Sequence, residues 1–152
     1  LGNIEQDPLF VDPVNLDFHL QSQGWRYKSS TRQWLHDANT SRCIDAGCPG
    51  FALEDEPLTI FLDPTHYYGT NVRINMGFYG GTAEASIPRP DWAILADVNN
   101  DGISDMIDFA LFAQQWLADQ GHIHSDFDHS GSIDTLDLAL MAQDFAFSTI
   151  WY

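Results

Sequence analysis

The C-terminal part of the chain repeats a pattern of short oxygen-bearing side chains that suits a hard cation. DVNNDGISDMIDFALFAQQW, at residues 97–116, aligns without a gap with DFDHSGSIDTLDLALMAQDF, at residues 126–145. In both segments the sixth residue is a glycine, Gly102 or Gly131. Calcium takes about six to eight oxygen ligands, so a loop that surrounds it needs alternating oxygen donors and a sharp glycine turn. The repeat therefore predicts two calcium loops, each leading into a helix.

The predicted ligands occupy the same positions in both loops. Side chains at positions 1, 3, 5, 9 and 12 supply oxygens, and position 7 supplies its backbone carbonyl. The ligands of the first loop are Asp97, Asn99, Asp101, Ile103, Asp105 and Asp108. Those of the second loop are Asp126, Asp128, Ser130, Ser132, Asp134 and Asp137. This is the EF-hand loop pattern with Asp in place of the final Glu. A pair of acidic surface turns is the alternative, but it would not require glycine at the sixth place twice.

The charge distribution favours cation binding by the same region. All six Lys and Arg precede residue 90, whereas residues 91–152 contain eleven Asp and no Glu, Lys or Arg. Two carboxylates about 5 Å apart repel by about 3 kcal/mol at an effective dielectric of about 20. We therefore expect this region to fold only when calcium is bound.

An apolar helix is predicted after each loop, because large apolar residues recur at helical spacing. These residues are Phe109, Phe112 and Trp116 in the first helix and Leu138, Met141 and Phe145 in the second. We interpret the two stripes as a small shared core. Pro88 and Pro90 lie too close to the first loop for a helix of normal length to enter it. The repeated unit is therefore one loop and one exiting helix.

The two loop-helix repeats resemble a dockerin module, the duplicated calcium-binding domain found at the ends of secreted bacterial polysaccharide-degrading proteins. The resemblance covers residues 96–147, and dockerins commonly end their loops in Asp, as at Asp108 and Asp137. It implies docking onto a cohesin-like domain or another cell-surface protein. One departure concerns loop positions 10 and 11, where the best-known dockerins often carry Ser-Thr. Those positions hold Met106 and Ile107 in the first loop and Thr135 and Leu136 in the second.

The first ninety residues contain short β-type runs separated by Asp, Asn, Pro and Gly. The runs are DPLFVDP, DFHLQ, RCIDAG and RINMGFYGG, which start at residues 7, 17, 42 and 73. This set resembles the final coils of a secreted right-handed parallel β-helix. Because such coils cannot bury their core alone, and because the chain begins at Leu1, we expect a C-terminal fragment of a longer secreted protein.

The expected fold is mixed. Residues 1–86 are assigned to terminal coils of a parallel β-helix, 87–95 to a linker and 96–147 to a small all-α dockerin-like domain with two calcium loop-helix repeats.

No catalytic residues are assigned in this chain, since β-helix lyases and hydrolases carry their chemistry on central coils. Five carboxylates of the first region are interpreted as turn formers, because Asp bonds its own nearby backbone. They are Asp12, Asp17, Asp45, Asp55 and Asp63. No catalytic triad signature, phosphate loop or dinucleotide fingerprint is present in the sequence.

The segment GWRYKSSTRQW is predicted to form a hairpin that gathers aromatic and basic residues. Trp25, Tyr27 and Trp34 beside these bases would suit an acidic polysaccharide, or they would cover the β-helix. The cysteines are also open to two interpretations. Cys43 and Cys48 form a disulfide in an extracellular setting, or both remain free.

His122, His124 and His129 lie near the second loop without a completing zinc pattern, so this stretch is interpreted as an exposed linker.

Composition excludes two partner classes. A formal charge of −16 disfavours nucleic acid, and no run approaches the roughly 18 apolar residues of a membrane span. We therefore expect a secreted protein, extracellular or at the cell surface. The predicted function is calcium-dependent protein-protein attachment at the C-terminus of a polysaccharide-associated β-helix protein. The alternatives are a fragment of a polysaccharide lyase or glycoside hydrolase whose active site lies upstream, and a structural cap of the solenoid.

Overall fold

The computed structural model describes residues 3–58, 69–117 and 124–149. The elements in chain order are β1 (Phe10–Asp12), β2 (Asp17–Leu20), β3 (Arg26–Lys28), β4 (Gln33–Leu35), α1 (Met106–Gln114) and α2 (Thr135–Asp144). A short 3-10 turn at Pro13–Asn15 joins β1 to β2. The strands occupy the first region, and the helices occupy the repeat.

Each pair of strands is an antiparallel hairpin. In the first, Phe10 lies opposite Leu20. The side chain of Asp12 caps the connecting turn by accepting the N–H of Asn15 at 3.3 Å. In the second, Tyr27 lies opposite Trp34, as the sequence predicts for a hairpin. Both hairpins are local, because their turns span only a few residues.

The predicted parallel β-helix is wrong. All strand pairs in residues 3–58, 69–117 and 124–149 are antiparallel, including the bridge of Trp25 to Ile87. The runs at 42–47 and 73–81 form turns and bends rather than strands. Short β-type runs do not specify how they pair, and a connection of a few residues joins only antiparallel strands. The first region is a set of short hairpins and turns.

The first region has a small apolar core and many buried polar groups. Leu20, Ile44 and Trp92 form the core cluster. Ile87 is fully buried and exchanges backbone hydrogen bonds with Trp25 at 2.7 and 3.0 Å. Residues 86–88 and Trp92 thus pack within this region, and the division of the chain at 87–95 stays a prediction.

The repeat has its own apolar core, to which both loops and both helices contribute. Its buried residues are Ala96, Val98, Phe112, Phe127, Ile133 and Met141. The rings of Phe112 and Phe127 stack with centroids 6.1 Å apart, which joins the first helix to the second loop. The middle residue of each predicted apolar stripe is therefore core.

Within the described parts of the chain, neither helix has the length and apolar character needed to cross a membrane.

Candidate metal centre

The last predicted ligand of the first loop organises that loop. Asp108 is fully buried, and its Oδ1 accepts the N–H groups of Val98 at 2.8 Å and Asn99 at 3.2 Å. Its Oδ2 accepts the N–H of Asp105 at 2.9 Å. One carboxylate thus ties the start of the loop to its end.

The second loop repeats this arrangement around Asp137, which is also fully buried. Its Oδ1 accepts from Phe127 at 2.7 Å and from Asp128 at 3.2 Å, and its Oδ2 accepts from Asp134 at 2.9 Å. The same three bonds therefore recur at equivalent positions of both loops. The sequence similarity of the two segments is thus matched by similar hydrogen bonding.

The first predicted ligand of each loop is bonded to the glycine turn. Asp97 accepts the N–H of Asp101 at 3.2 Å and that of Gly102 at 2.9 Å. Both loop glycines have φ +92°, a left-handed conformation that side chains disfavour, which explains glycine at the sixth position. The equivalent residues of the second loop are Asp126, Ser130 and Gly131, with bonds of 3.0 and 2.9 Å.

The ninth position of each loop is also the N-cap of the following helix. Asp105 accepts the N–H of Ile107 at 2.7 Å, and Asp134 accepts that of Leu136 at 2.8 Å. Asp108 completes a capping box in α1 by bonding back to the Asp105 N–H, and α2 has the same capping box. The predicted ligands at positions 9 and 12 therefore start the helices as well.

The carboxylates of the second loop converge on one point. Asp126, Asp128 and Asp137 each offer an oxygen, and these oxygens lie within 4.8 Å of one another. Calcium–oxygen distances are about 2.3–2.6 Å, so ligands on opposite sides of the ion are about 5 Å apart. This donor set fits a calcium ion. Ser130 lies beside it and donates its hydroxyl to the carbonyl of Ser132 at 3.1 Å.

In the first loop, Asn99 stands where the second loop has an acid. Its side-chain amide donates to Asp101 Oδ2 at 2.8 Å, and its Oδ1 accepts the Asp101 N–H at 2.9 Å. The N–H of Ile103 donates to Asp101 Oδ1 at 3.0 Å. The predicted ligands of the first loop thus surround one turn. Each loop has four ligand carboxylates, because the second loop has Asp128 in place of Asn99 but Ser130 in place of Asp101.

Burial of these carboxylates without enough positive charge is electrostatically unfavourable. Burial raises the pKa of Asp97 to about 6, with the charges of Asp108 and Asp101 adding to it, while the Gly102 N–H and Arg73 oppose the shift. Burial likewise raises the pKa of Asp108 and of Asp126. A divalent cation would offset this cost, which is the second reason that the loops fit calcium.

The structure bears on two interpretations that the sequence leaves open, a sugar-binding surface at the hairpin and a disulfide between the cysteines. Trp25 is buried, with its ring 3.8 Å from that of His36, so it presents no open platform for a sugar. Cys43 and Cys48 are both free. The Sγ of Cys48 lies 3.0 Å from Nδ1 of His124.

The predicted turn-forming acids have different surroundings. Asp12 caps its turn, and Asp17 bonds the Nδ1 of His19 at 2.6 Å. Asp45 is buried, and its Oδ1 accepts backbone N–H groups at 3.0 and 3.2 Å. The structure gives Asp55 a backbone bond to Gly81 at 3.3 Å. Asp63 and His122 lie outside the described residues.

Large apolar side chains remain exposed on the helices. Met106, Ile107 and Leu136 are 64%, 55% and 62% exposed. Beside them lies an apolar cavity of about 330 Å³ between the helices, lined by Met106, Phe109, Leu138, Met141, Ala142 and Phe145. The outer members of the predicted stripes, such as Phe109 and Phe145, are thus partly at the surface rather than in the core.

Two family models match separate parts of this chain. The model described as Dockerin type I domain matches residues 95–146, and the model described as Disaggregatase related matches residues 1–47. No curated protein and no solved structure matches the chain. The first match supports the predicted dockerin-like module, and dockerin type I domains bind calcium. Residues 95–146 are therefore a dockerin-like module.

Proposed function

We propose that residues 95–146 attach this protein to a protein partner in a calcium-dependent manner, with one calcium ion in each loop. The observation that carries the proposal is the repeated bonding of Asp108 and Asp137. Each of these buried carboxylates accepts an N–H group from the start of its loop and another from the N-cap residue. In this way it fixes where the following helix begins. The dockerin match supports the same function.

Calcium would supply the positive charge that the buried carboxylates require. The chain's own residues do the rest. The ligands at positions 9 and 12 start each helix, so a loop that closes around the ion also holds α1 or α2 in place. Calcium binding would in this way fix the positions of α1 and α2 relative to each other.

The helix surface is the proposed docking face. Met106, Ile107 and Leu136 are exposed at the positions that follow the capping residues Asp105 and Asp134. Apolar residues at these places favour a partner with an apolar contact surface, either a cohesin-like domain or another cell-surface protein. Because dockerin-containing proteins are typically extracellular or at the cell surface, we also propose a secreted location.

The exposure of this face favours attachment over a purely structural cap. A cap would bury the helices against the first region, whereas the exposed residues of α1 and α2 leave an open cavity between them. The enzyme alternative stays a prediction about residues upstream, since we assign no catalytic group in this chain.

The test is retention of secreted proteins of the source organism by the immobilised chain, with calcium or with excess chelator. We expect retention only with calcium. The double variant Met106→Asp, Leu136→Asp should lose at least about tenfold in affinity, because burying two charges in an apolar interface is costly. The matched control is Gln114→Ala, another exposed position of α1.

Circular dichroism of each variant with calcium checks that the helices form. Retention that is equal with chelator, or equal in the double variant and the control, would contradict the proposal.

A further inference from the structure

The segment Ala46–Pro49, here called the 46–49 segment, lies against both calcium loops. The side-chain amide of Asn100 donates to the Ala46 carbonyl at 2.8 Å. The Nε2 of His129 lies 3.1 Å from the Pro49 carbonyl, to which it donates. One short segment of the first region thus receives a hydrogen bond from each loop.

The two donors occupy equivalent places. Asn100 and His129 are both the fourth residue of their loops, a position without a calcium ligand. Both have left-handed backbones, with φ of 60° and 57°, which is uncommon for residues other than glycine. Loop geometry therefore aims both side chains outward in the same way, although the residue types differ.

A buried arginine adds a third connection. Arg73 is 2% exposed, and its Nη1 donates to the Asp97 carbonyl at 2.6 Å. Its Nε donates to the Gly47 carbonyl at 2.9 Å. The guanidinium thus bridges the first residue of the first loop to the 46–49 segment. Because it is buried, its hydrogen bonds cannot be replaced by water unless this contact opens.

The backbone of the 46–49 segment is fixed from its other side. The Gly47 N–H donates to the Ile74 carbonyl at 2.8 Å, and a Cβ at Gly47 would lie only 2.5 Å from that oxygen. Glycine is therefore needed for this close approach. The carbonyls of Ala46, Gly47 and Pro49 are left to face the loop residues.

From this arrangement we propose that the 46–49 segment is an intramolecular docking surface for the calcium loops, and that calcium binding locks the first region onto the repeat. The inference rests on the proposed calcium sites. Without the cation, repulsion among the loop carboxylates favours an open loop, and Asn100 and His129 lose their fixed direction. By linkage, whatever stabilises the closed loops stabilises the docked contact equally.

Cys48 is a built-in probe of this contact. It lies within the 46–49 segment, is half-buried, and contacts His124. The experiment measures the rate at which Ellman's reagent modifies Cys48 in a Cys43→Ser background, with calcium and with excess chelator. We expect modification to be at least about tenfold slower with calcium, since the closed contact shields the half-buried thiol.

The variant that isolates the contact is Asn100→Gly, His129→Gly. Glycine accepts the left-handed backbone and keeps every calcium ligand, so only the two side-chain donors are removed. We expect calorimetry to show unchanged calcium stoichiometry while calcium protects Cys48 less than in the Cys43→Ser chain, since only the Arg73 bridge then remains. The matched control is Leu16→Gly, another left-handed position that is 73% exposed, and it should keep full protection.

The outcomes separate the two proposals. Calcium binding by calorimetry with equal Cys48 rates, with and without calcium, would overturn the docking inference alone. The absence of calcium binding would overturn the proposed function and the inference with it. If Cys43→Ser fails to fold, labelling of the wild-type chain with mass-spectrometric assignment of Cys43 and Cys48 gives the same rates.

Discussion

The two regions of this molecule are stabilised in different ways. The dockerin-like module has two helices, an apolar core and loops whose ligand carboxylates bond within about a dozen residues, as Asp108 does with Val98. The first region has strands of three or four residues and depends on distant polar contacts. Glu56, for example, accepts the N–H groups of Asn75 at 2.7 Å and Gly81 at 2.8 Å.

This difference explains what each region needs in order to fold. In the module, carboxylates converge within each loop, and a bound cation would supply the missing positive charge. In the first region, many buried polar groups are bonded by the chain itself, so a single substitution leaves several partners without a hydrogen bond. We therefore expect the module to respond to calcium and the first region to respond to loss of its buried polar residues.

The largest of the expected mutational effects is that of Arg73→Ala. The change removes the donor shared by Asp97 and Gly47 and leaves their buried carbonyls unsatisfied, so the free energy of unfolding should fall by about 3 kcal/mol. Urea unfolding with calcium present measures it. The control is Arg89→Ala. The guanidinium of Arg89 is exposed and donates to Gln23 Oε1 at 3.1 Å, so its loss should cost under about 0.5 kcal/mol. Equal losses of unfolding free energy in the Arg73 and Arg89 variants would contradict the claim that buried polar contacts stabilise this region more than surface charges do.

Within any one pH unit, a smaller effect is expected in the pH dependence of stability. Burial raises the pKa of Asp45 from 3.8 to about 8, with bonds from the Arg73 and Val72 N–H groups opposing the shift. The folded state therefore binds a proton that the unfolded state has released between about pH 4 and pH 8. In this window the unfolding free energy should fall as pH rises, by up to about 1.4 kcal/mol per pH unit.

Asp45→Asn imitates the protonated side chain, so this part of the slope should disappear in the variant. The measurement is urea unfolding of wild type and variant at several pH values, with chelator present so that calcium does not compete with protons. Parallel slopes in the two proteins would show that Asp45 is not the titrating group.

The parts of the molecule that can be predicted are those whose structure depends on residues close together in the sequence. The spacing of the oxygen donors and of Gly102 and Gly131 indicates the loops, and the apolar periodicity indicates α1 and α2. Both patterns can be recognised because each lies within a short segment of the sequence. The roles of Asn100 and His129 have no such signal, since a fourth loop position is not a ligand and its partner lies far away in sequence.

The first region shows the opposite case. The alternation in GWRYKSSTRQW correctly indicates the hairpin of Tyr27 and Trp34, but the β-type runs at 42–47 and 73–81 form turns instead. There the bonds of Arg73 and Asp45 determine the backbone, and such contacts across 24 to 28 residues leave no periodic pattern in the sequence. Strand propensity alone also does not distinguish parallel from antiparallel pairing, which is why the β-helix prediction failed.

The central claim is that the repeated loops bind calcium and that the bound ions hold the helices. Calorimetric titration of the full chain with calcium, followed by circular dichroism of the same sample before and after excess chelator, tests it most directly. The account predicts binding of two calcium ions per chain and loss of the helical signal when chelator removes them. A titration without binding heat at several temperatures, together with a helical signal that chelator leaves unchanged, would contradict it.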